Sequence, residues 1–177
     1  MMIRKITYIA VILLLVCAGN AQAKSLTYGT GPVRIILFTD FFCPPCQRLE
    51  SSIEASLYKA LVQGKITVTY VPVPITKMSV PVAYYYIATA DGKTYEDAAT
   101  IRKNLTNMAK SGIINDNLLE QWKKKAGVVQ PYIQYLNDTI KHYGITSTPS
   151  CVIGMNGREV TYTGSQDIEN AILSVSR

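Results

Sequence analysis

Ile36-Leu37-Phe38-Thr39-Asp40-Phe41-Phe42-Cys43-Pro44-Pro45-Cys46 is the stretch on which the reading of this 177-residue chain turns. Residues 33–38 are almost continuously apolar and β-branched after Gly31-Pro32, the pattern of a strand covered on both faces. Beyond Cys46, the residues Leu49, Ile53, Leu57 and Ala60 recur at helical spacing over 47–61, and Gly64 stops the helix. Residues 66–73 make a second β-branched run, closed by Pro72 and Pro74. Strand, helix and strand in that order form a βαβ crossover with parallel strands. The two cysteines therefore fall between a buried strand and the start of a helix.

Outward from this unit, residues 75–144 carry no strand pattern. The spacing predicts four helices there, over 79–90, 95–110, 116–126 and 129–143, with Ser79 capping the first. Asp91-Gly92, Gly112, Gly127 and Gly144 end them in turn. Tyr84, Tyr85, Tyr86, Trp122, Tyr132 and Tyr135 are interleaved at helical spacing, which reads first as packing and second as a groove lining. Residues 150–155 and 159–162 then flank Asn156-Gly157, a two-residue hairpin signal. Ser165 caps a last helix running to residue 175. The expected fold is one α/β domain built on a central mixed sheet, with a helical insertion at about 75–144 between the βαβ unit and the closing hairpin and helix.

Composition agrees with a folded enzyme-sized domain. The chain is 48% hydrophobic and 17% charged, which excludes a disordered or low-complexity build. Residues 1–23 read as a cleaved signal peptide: Arg4 and Lys5 give a positive start, residues 6–18 an apolar core too short to span a bilayer, and Ala21-Gln22-Ala23 a cleavage pattern. Of the net charge of +6, Arg4 and Lys5 supply two, so the mature chain carries +4, which requires no nucleic-acid partner. Export follows, as a soluble chain starting near residue 24, to a compartment where disulfides persist.

Cysteines three apart at a helix start lie on one face of its first turn, so their sulfurs can join or separate with little backbone motion. Cys43 stands before the free N–H groups of the helix, which favour a thiolate and make it the expected nucleophile. Cys46, one turn in and more buried, is the resolving thiol. Proline suits the first helical turn, which does not need its N–H. Two other readings stay open: half a zinc site completed by Cys151 and His142, or an inert staple. Cys151 reads as a buried small apolar residue, with a regulatory thiol as the second option.

The stretch from Ile36 to Cys46, with Gln47-Arg48-Leu49, resembles the active-site strand and helix of the bacterial periplasmic thiol:disulfide oxidoreductases of the Dsb group, DsbC and DsbG in particular. A second match, Gly144-Ile145-Thr146-Ser147-Thr148-Pro149-Ser150, resembles that family's cis-proline loop, and DsbA-like members carry a helical insertion in the same place. The resemblance implies a thioredoxin-like fold and a redox-active Cys43–Cys46 disulfide, with no other cofactor and no metal. It implies a cis Pro149 against the cysteines, Thr148 offering its backbone to a substrate strand, and Pro44, Pro45, Asp40 and Phe42 as the environment of the pair. Protein thiols and disulfides would be the substrates and a membrane protein the redox partner.

The departures bear on direction. No dimerisation domain precedes the first strand, which favours a monomer. Pro45 stands where DsbA-type sites carry His, as in reducing thioredoxins, and Leu37 occupies the place of the thioredoxins' buried acid. The reading is an exported oxidase or isomerase-like enzyme, with an extracytoplasmic reductase or a non-catalytic metal- or peptide-binding protein as alternatives.

Overall fold

A computed structural model describes residues 26–176, and the leader assigned to residues 1–23 lies outside them. The elements in chain order are β1 (Thr27–Tyr28), β2 (Val33–Thr39), α1 (Pro44–Val62), β3 (Ile66–Pro72), α2 (Ser79–Ala90), α3 (Tyr95–Lys110), α4 (Asp116–Lys123), α5 (Ala126–His142), β4 (Ser150–Met155), β5 (Arg158–Thr163) and α6 (Ser165–Val175). One mixed sheet has the order β1-β3-β2-β4-β5. Strands β2 and β3 are parallel, from Val33 opposite Ile66 to Thr39 opposite Pro72, and every other pairing is antiparallel. The central strand β2 is buried from Ile35 to Thr39, as its unbroken apolar run requires.

Helix α1 buries Leu49, Ile53, Leu57 and Ala60, the stripe expected from spacing. It packs against β3 and against α6, and α6 covers β4 and β5. At its end the Lys65 N–H returns to the Ala60 carbonyl at 2.9 Å, a closure that needs the positive φ of Gly64 (65°). The four insertion helices run from β3 to β4, and α2 packs on α3, α4 and α5. Tyr86, Trp122 and Tyr132 are buried among them, Tyr84 and Tyr85 are half-buried, and only Tyr135 of the six aromatics is exposed. Tyr85 stacks on Trp122 at 4.6 Å between centroids. Packing accounts for most of these rings. Asn156 and Gly157 both take positive φ (52° and 75°), the conformation of the tight turn between β4 and β5.

Several boundaries differ from expectation. The two-residue β1, too short for any periodic pattern, pairs along β3 at Thr69 and Val68. Ser79 is the first residue of α2 and not its cap: the Thr76 hydroxyl accepts the Ser79 N–H at 3.2 Å. Ser165 likewise begins α6, and Gly164 precedes it, turning the chain out of β5 at φ 88°. Helix α4 stops at Lys123 and α5 begins at Ala126, so Gly127 is in the first turn of a helix it was expected to precede.

Gly31 shows how closely the crossover packs. Its N–H donates to the Ile66 carbonyl at 3.1 Å, and a Cβ there would stand 2.1 Å from the Ile66 backbone nitrogen. Backbone cannot move aside as a flexible side chain would. Gly31→Ala is expected to lower stability by about 2 kcal/mol or more, read as a drop in the denaturant midpoint with an unchanged slope. An unchanged midpoint would show that this contact is not as rigid as the pairing implies.

Candidate active site

Asp40 is at the centre of the junction after β2. Asp40 is buried, and its Oδ1 accepts the Phe42 N–H at 2.7 Å while Oδ2 accepts the Ile75 N–H at 3.2 Å. Its carbonyl accepts the Cys43 N–H at 3.3 Å, so Asp40 closes the turn into α1 and ties it to the segment leaving β3. The Gln47 amide reinforces the turn by donating to the Phe41 carbonyl at 2.6 Å. Phe42 is half-buried and packs on the core.

Cys43 caps α1, and Pro44 and Pro45 open the helix, where an N–H is dispensable. Cys43 and Cys46 form a disulfide with a Cα–Cα distance of 5.2 Å. The Cys46 N–H points at Cys43 Sγ, 3.4 Å away. Because both intervening residues are prolines, no other N–H lies between them. Cys43 stands before the helix as its cap and Cys46 is the more buried of the two, but Cys43 is covered as well, at 3% exposure against 1%. The cover on Cys43 comes from 105 residues further along, where the Thr148 carbonyl oxygen lies 3.6 Å from Sγ.

That carbonyl belongs to a loop held by two hydrogen bonds. The Thr148–Pro149 peptide bond is cis, the Pro149 carbonyl accepts the Gly164 N–H at 3.1 Å, and the Ser150 hydroxyl donates to the Ser147 carbonyl at 2.8 Å. Strand β4 then aligns Ser150 with Phe38 and Cys151 with Leu37. Leu37 is fully buried between its partners Tyr70 on β3 and Cys151 on β4. Cys151 is also fully buried, and burial pushes its thiol up from 9.0 to about 12. Among the described residues no group of His, Cys, Asp and Glu is placed to hold a metal, and His142 is exposed, in contact with the Tyr143 ring. The scattered zinc set of Cys43, Cys46, Cys151 and His142 is not assembled.

Sequence reasoning missed Arg102 and Glu50. Arg102 is 4% exposed, pairs with Glu50 of α1, and donates to Thr39 Oγ1 at 2.9 Å. The signal was present in α3, whose buried stripe of Ala98, Arg102, Leu105 and Thr106 contains a charge where the helical period calls for an apolar residue.

The family model described as a thioredoxin-like domain matches residues 21–174. No curated protein matches the sequence. The fold is similar to the solved structure of a candidate protein-disulfide isomerase from Pseudomonas syringae, at 15% identity and TM-score 0.67, covering 88% of this chain and 99% of that one. Wolbachia pipientis alpha-DsbA1 is similar at 14% identity and TM-score 0.65, covering 87% and 92%. BdbD from Bacillus subtilis, in its oxidised form, gives 19% identity and TM-score 0.60, covering 86% and 93%.

A thiol raised by burial is protonated at neutral pH and stays so well past the pH at which a free cysteine ionises. Native reduced protein is therefore expected to resist alkylation at Cys151 at pH 7 and pH 9 alike, with labelling at that position only after unfolding. Peptide mapping by mass spectrometry reads this directly, and rapid native labelling of Cys151 would contradict its placement.

Proposed function

Because this chain belongs to the thioredoxin-like family, we propose that it is an exported thiol-disulfide oxidoreductase, exchanging its Cys43–Cys46 disulfide with protein thiols. The observation that carries the reading is the disulfide at the start of α1, with Cys43 Sγ facing the Cys46 N–H on one side and the Thr148 carbonyl on the other. One contact suits a leaving or attacking thiolate, and the other offers backbone beside the sulfur to a substrate in extended form.

In the oxidising direction a substrate thiolate attacks Cys43 Sγ. The Cys43–Cys46 bond breaks, and Cys46 takes the electron pair and then a proton. A second substrate thiolate attacks the same substrate's sulfur in the mixed disulfide, forming the product disulfide and releasing Cys43 as a thiolate that the Cys46 N–H receives. Both electrons now reside on the pair, and a membrane redox partner removes them. Run in reverse, the Cys43 thiolate attacks a substrate disulfide and Cys46 resolves the intermediate. Signal-peptide removal after residue 23, a periplasmic location and a monomeric state complete the reading. No helix among the described residues is long and apolar enough to cross a membrane.

Direction depends on how well the Cys43 thiolate is stabilised. One N–H reaches Sγ, the prolines supply none, and no histidine stands in the four-residue loop. The helix start favours the thiolate, and so favours the reduced form, which makes the disulfide more oxidising. With a single donor, the potential is expected between the roughly −120 mV of DsbA and the roughly −270 mV of thioredoxin. Equilibration with glutathione measures it. A value at or below that of thioredoxin would instead favour the extracytoplasmic reductase that Pro45 suggests.

Exchange with a reduced protein substrate is expected to vanish in Cys43→Ser. Cys46→Ser should accumulate mixed disulfides through Cys43, visible as higher-mass bands that collapse on reduction. Turnover that survives Cys43→Ser would sink the assignment.

A further inference from the structure

We propose that Arg102 is a positioning residue for this exchange, holding the junction between β2 and α1 from the side of the helical insertion and so setting the acidity of Cys43. The inference rests on the disulfide-exchange reading above. Arg102 reaches every element around the junction. Its guanidinium donates to Thr39, the last residue of β2, and pairs with Glu50 on α1. The guanidinium carbon lies 4.3 Å from the ring centre of Tyr70 on β3, 5.2 Å from that of Phe41 in the junction, and 5.0 Å from that of Tyr86 on α2.

Thr39 and Phe41 are the two neighbours of Asp40, the residue that accepts the N–H groups of Phe42, Cys43 and Ile75. Arg102 thus grips both sides of the residue that forms the turn. Glu50 follows Cys46 by four positions, about one helical turn, on the same side of α1. One planar cation therefore fixes the end of the strand and the start of the helix relative to each other. Cys43 lies between the two as the cap of the helix, with the Cys46 N–H 3.4 Å from its Sγ. With prolines at both intervening positions, no neighbouring donor replaces that contact if it lengthens. A looser junction raises the Cys43 pKa, disfavours the reduced form and weakens the disulfide as an oxidant. Lysine keeps the charge but has no guanidinium plane to lie among the rings of Tyr70, Phe41 and Tyr86, so it does not hold the Thr39 and Glu50 contacts of Nη2 in place.

The test compares reduced wild type with Arg102→Lys, Arg102→Met and Thr39→Val. The pH profile of iodoacetamide labelling at Cys43 is followed by peptide mapping, beside glutathione equilibration and melting. Arg102→Lys and Thr39→Val are expected to move the labelling midpoint up by about half a unit or more, with a larger oxidised fraction at a given glutathione ratio. Thr39→Val removes one acceptor and no charge, so it decides the matter even where an arginine variant fails to fold. Lower melting with an unmoved Cys43 midpoint would make Arg102 a packing residue and overturn the proposal. A wild-type profile in Arg102→Lys would assign the effect to charge alone and overturn it as well. If the wild type shows no exchange at all, the functional reading fails, while the labelling profile, which needs no turnover, still decides the role of Arg102.

Discussion

Strand β2 is paired on both sides, parallel to β3 and antiparallel to β4, and that constraint brings the site together. Because β4 runs against β2, the residues leaving β2 and the residues entering β4 lie at one end of the sheet. Cys43 follows the first and Pro149 precedes the second, so pairing Phe38 with Ser150 carries Thr148 to within 3.6 Å of Cys43 Sγ. Burial of β2 on both faces keeps this register from slipping, since a one-residue shift would turn its side chains to the wrong sides. The same register sets Leu37 against Cys151, both fully buried, and places no carboxylate at either position.

The ion pair of buried Arg102 with partly buried Glu50 demands a physical account. Burial alone would lower the Arg102 pKa, but Glu50, Tyr86 and Tyr70 raise it above its ordinary value, so the cation persists. Such pairs are weak contributors to stability against a well-packed apolar alternative, yet removing the partly exposed Glu50 would cost about 3–5 kcal/mol because the Arg102 charge is left buried. The rings of Tyr70, Phe41 and Tyr86 around the guanidinium offset part of its desolvation. A group with so little to offer packing, set between strand end, active-site helix and insertion, fits a role in geometry better than one in bulk stability.

The chemistry of the pair is set by what its short loop omits. Pro44 and Pro45 are compatible with a first helical turn and rigidify it, but they remove two of the donors that a helix start normally presents. Cys43 is left with the Cys46 N–H, and Asp40 spends its carboxylate on the backbone of Phe42 and Ile75 and not on a thiol. Acidity of the thiolate then depends on the placement of one hydrogen bond, and hence on how rigidly the loop is held.

The amino-acid sequence by itself determined the crossover, the helix over Leu49, Ile53, Leu57 and Ala60, the hairpin at Asn156-Gly157 and the four helices after β3. These follow from short-range periodicity and from turn residues whose φ preferences act within a few positions. It also located Cys43 and Cys46 at a helix start, and the likeness of residues 144–150 to a known loop pointed to Thr148 and Pro149. Boundaries differ at Ser79 and Ser165, which are first residues of their helices, Ser79 giving its N–H to Thr76 Oγ1 and Ser165 following the turn at Gly164, and at Gly127, which lies inside α5. Only the tertiary structure decided that Cys43 is covered, that Asp40 is a backbone clamp reaching Ile75, and that Arg102 closes on Thr39 and Glu50. Each of these joins residues tens of positions apart, up to 105 between Cys43 and Thr148, and no local rule spans such a distance. They arise where the sheet order and the insertion bring separate segments to the same end of β2.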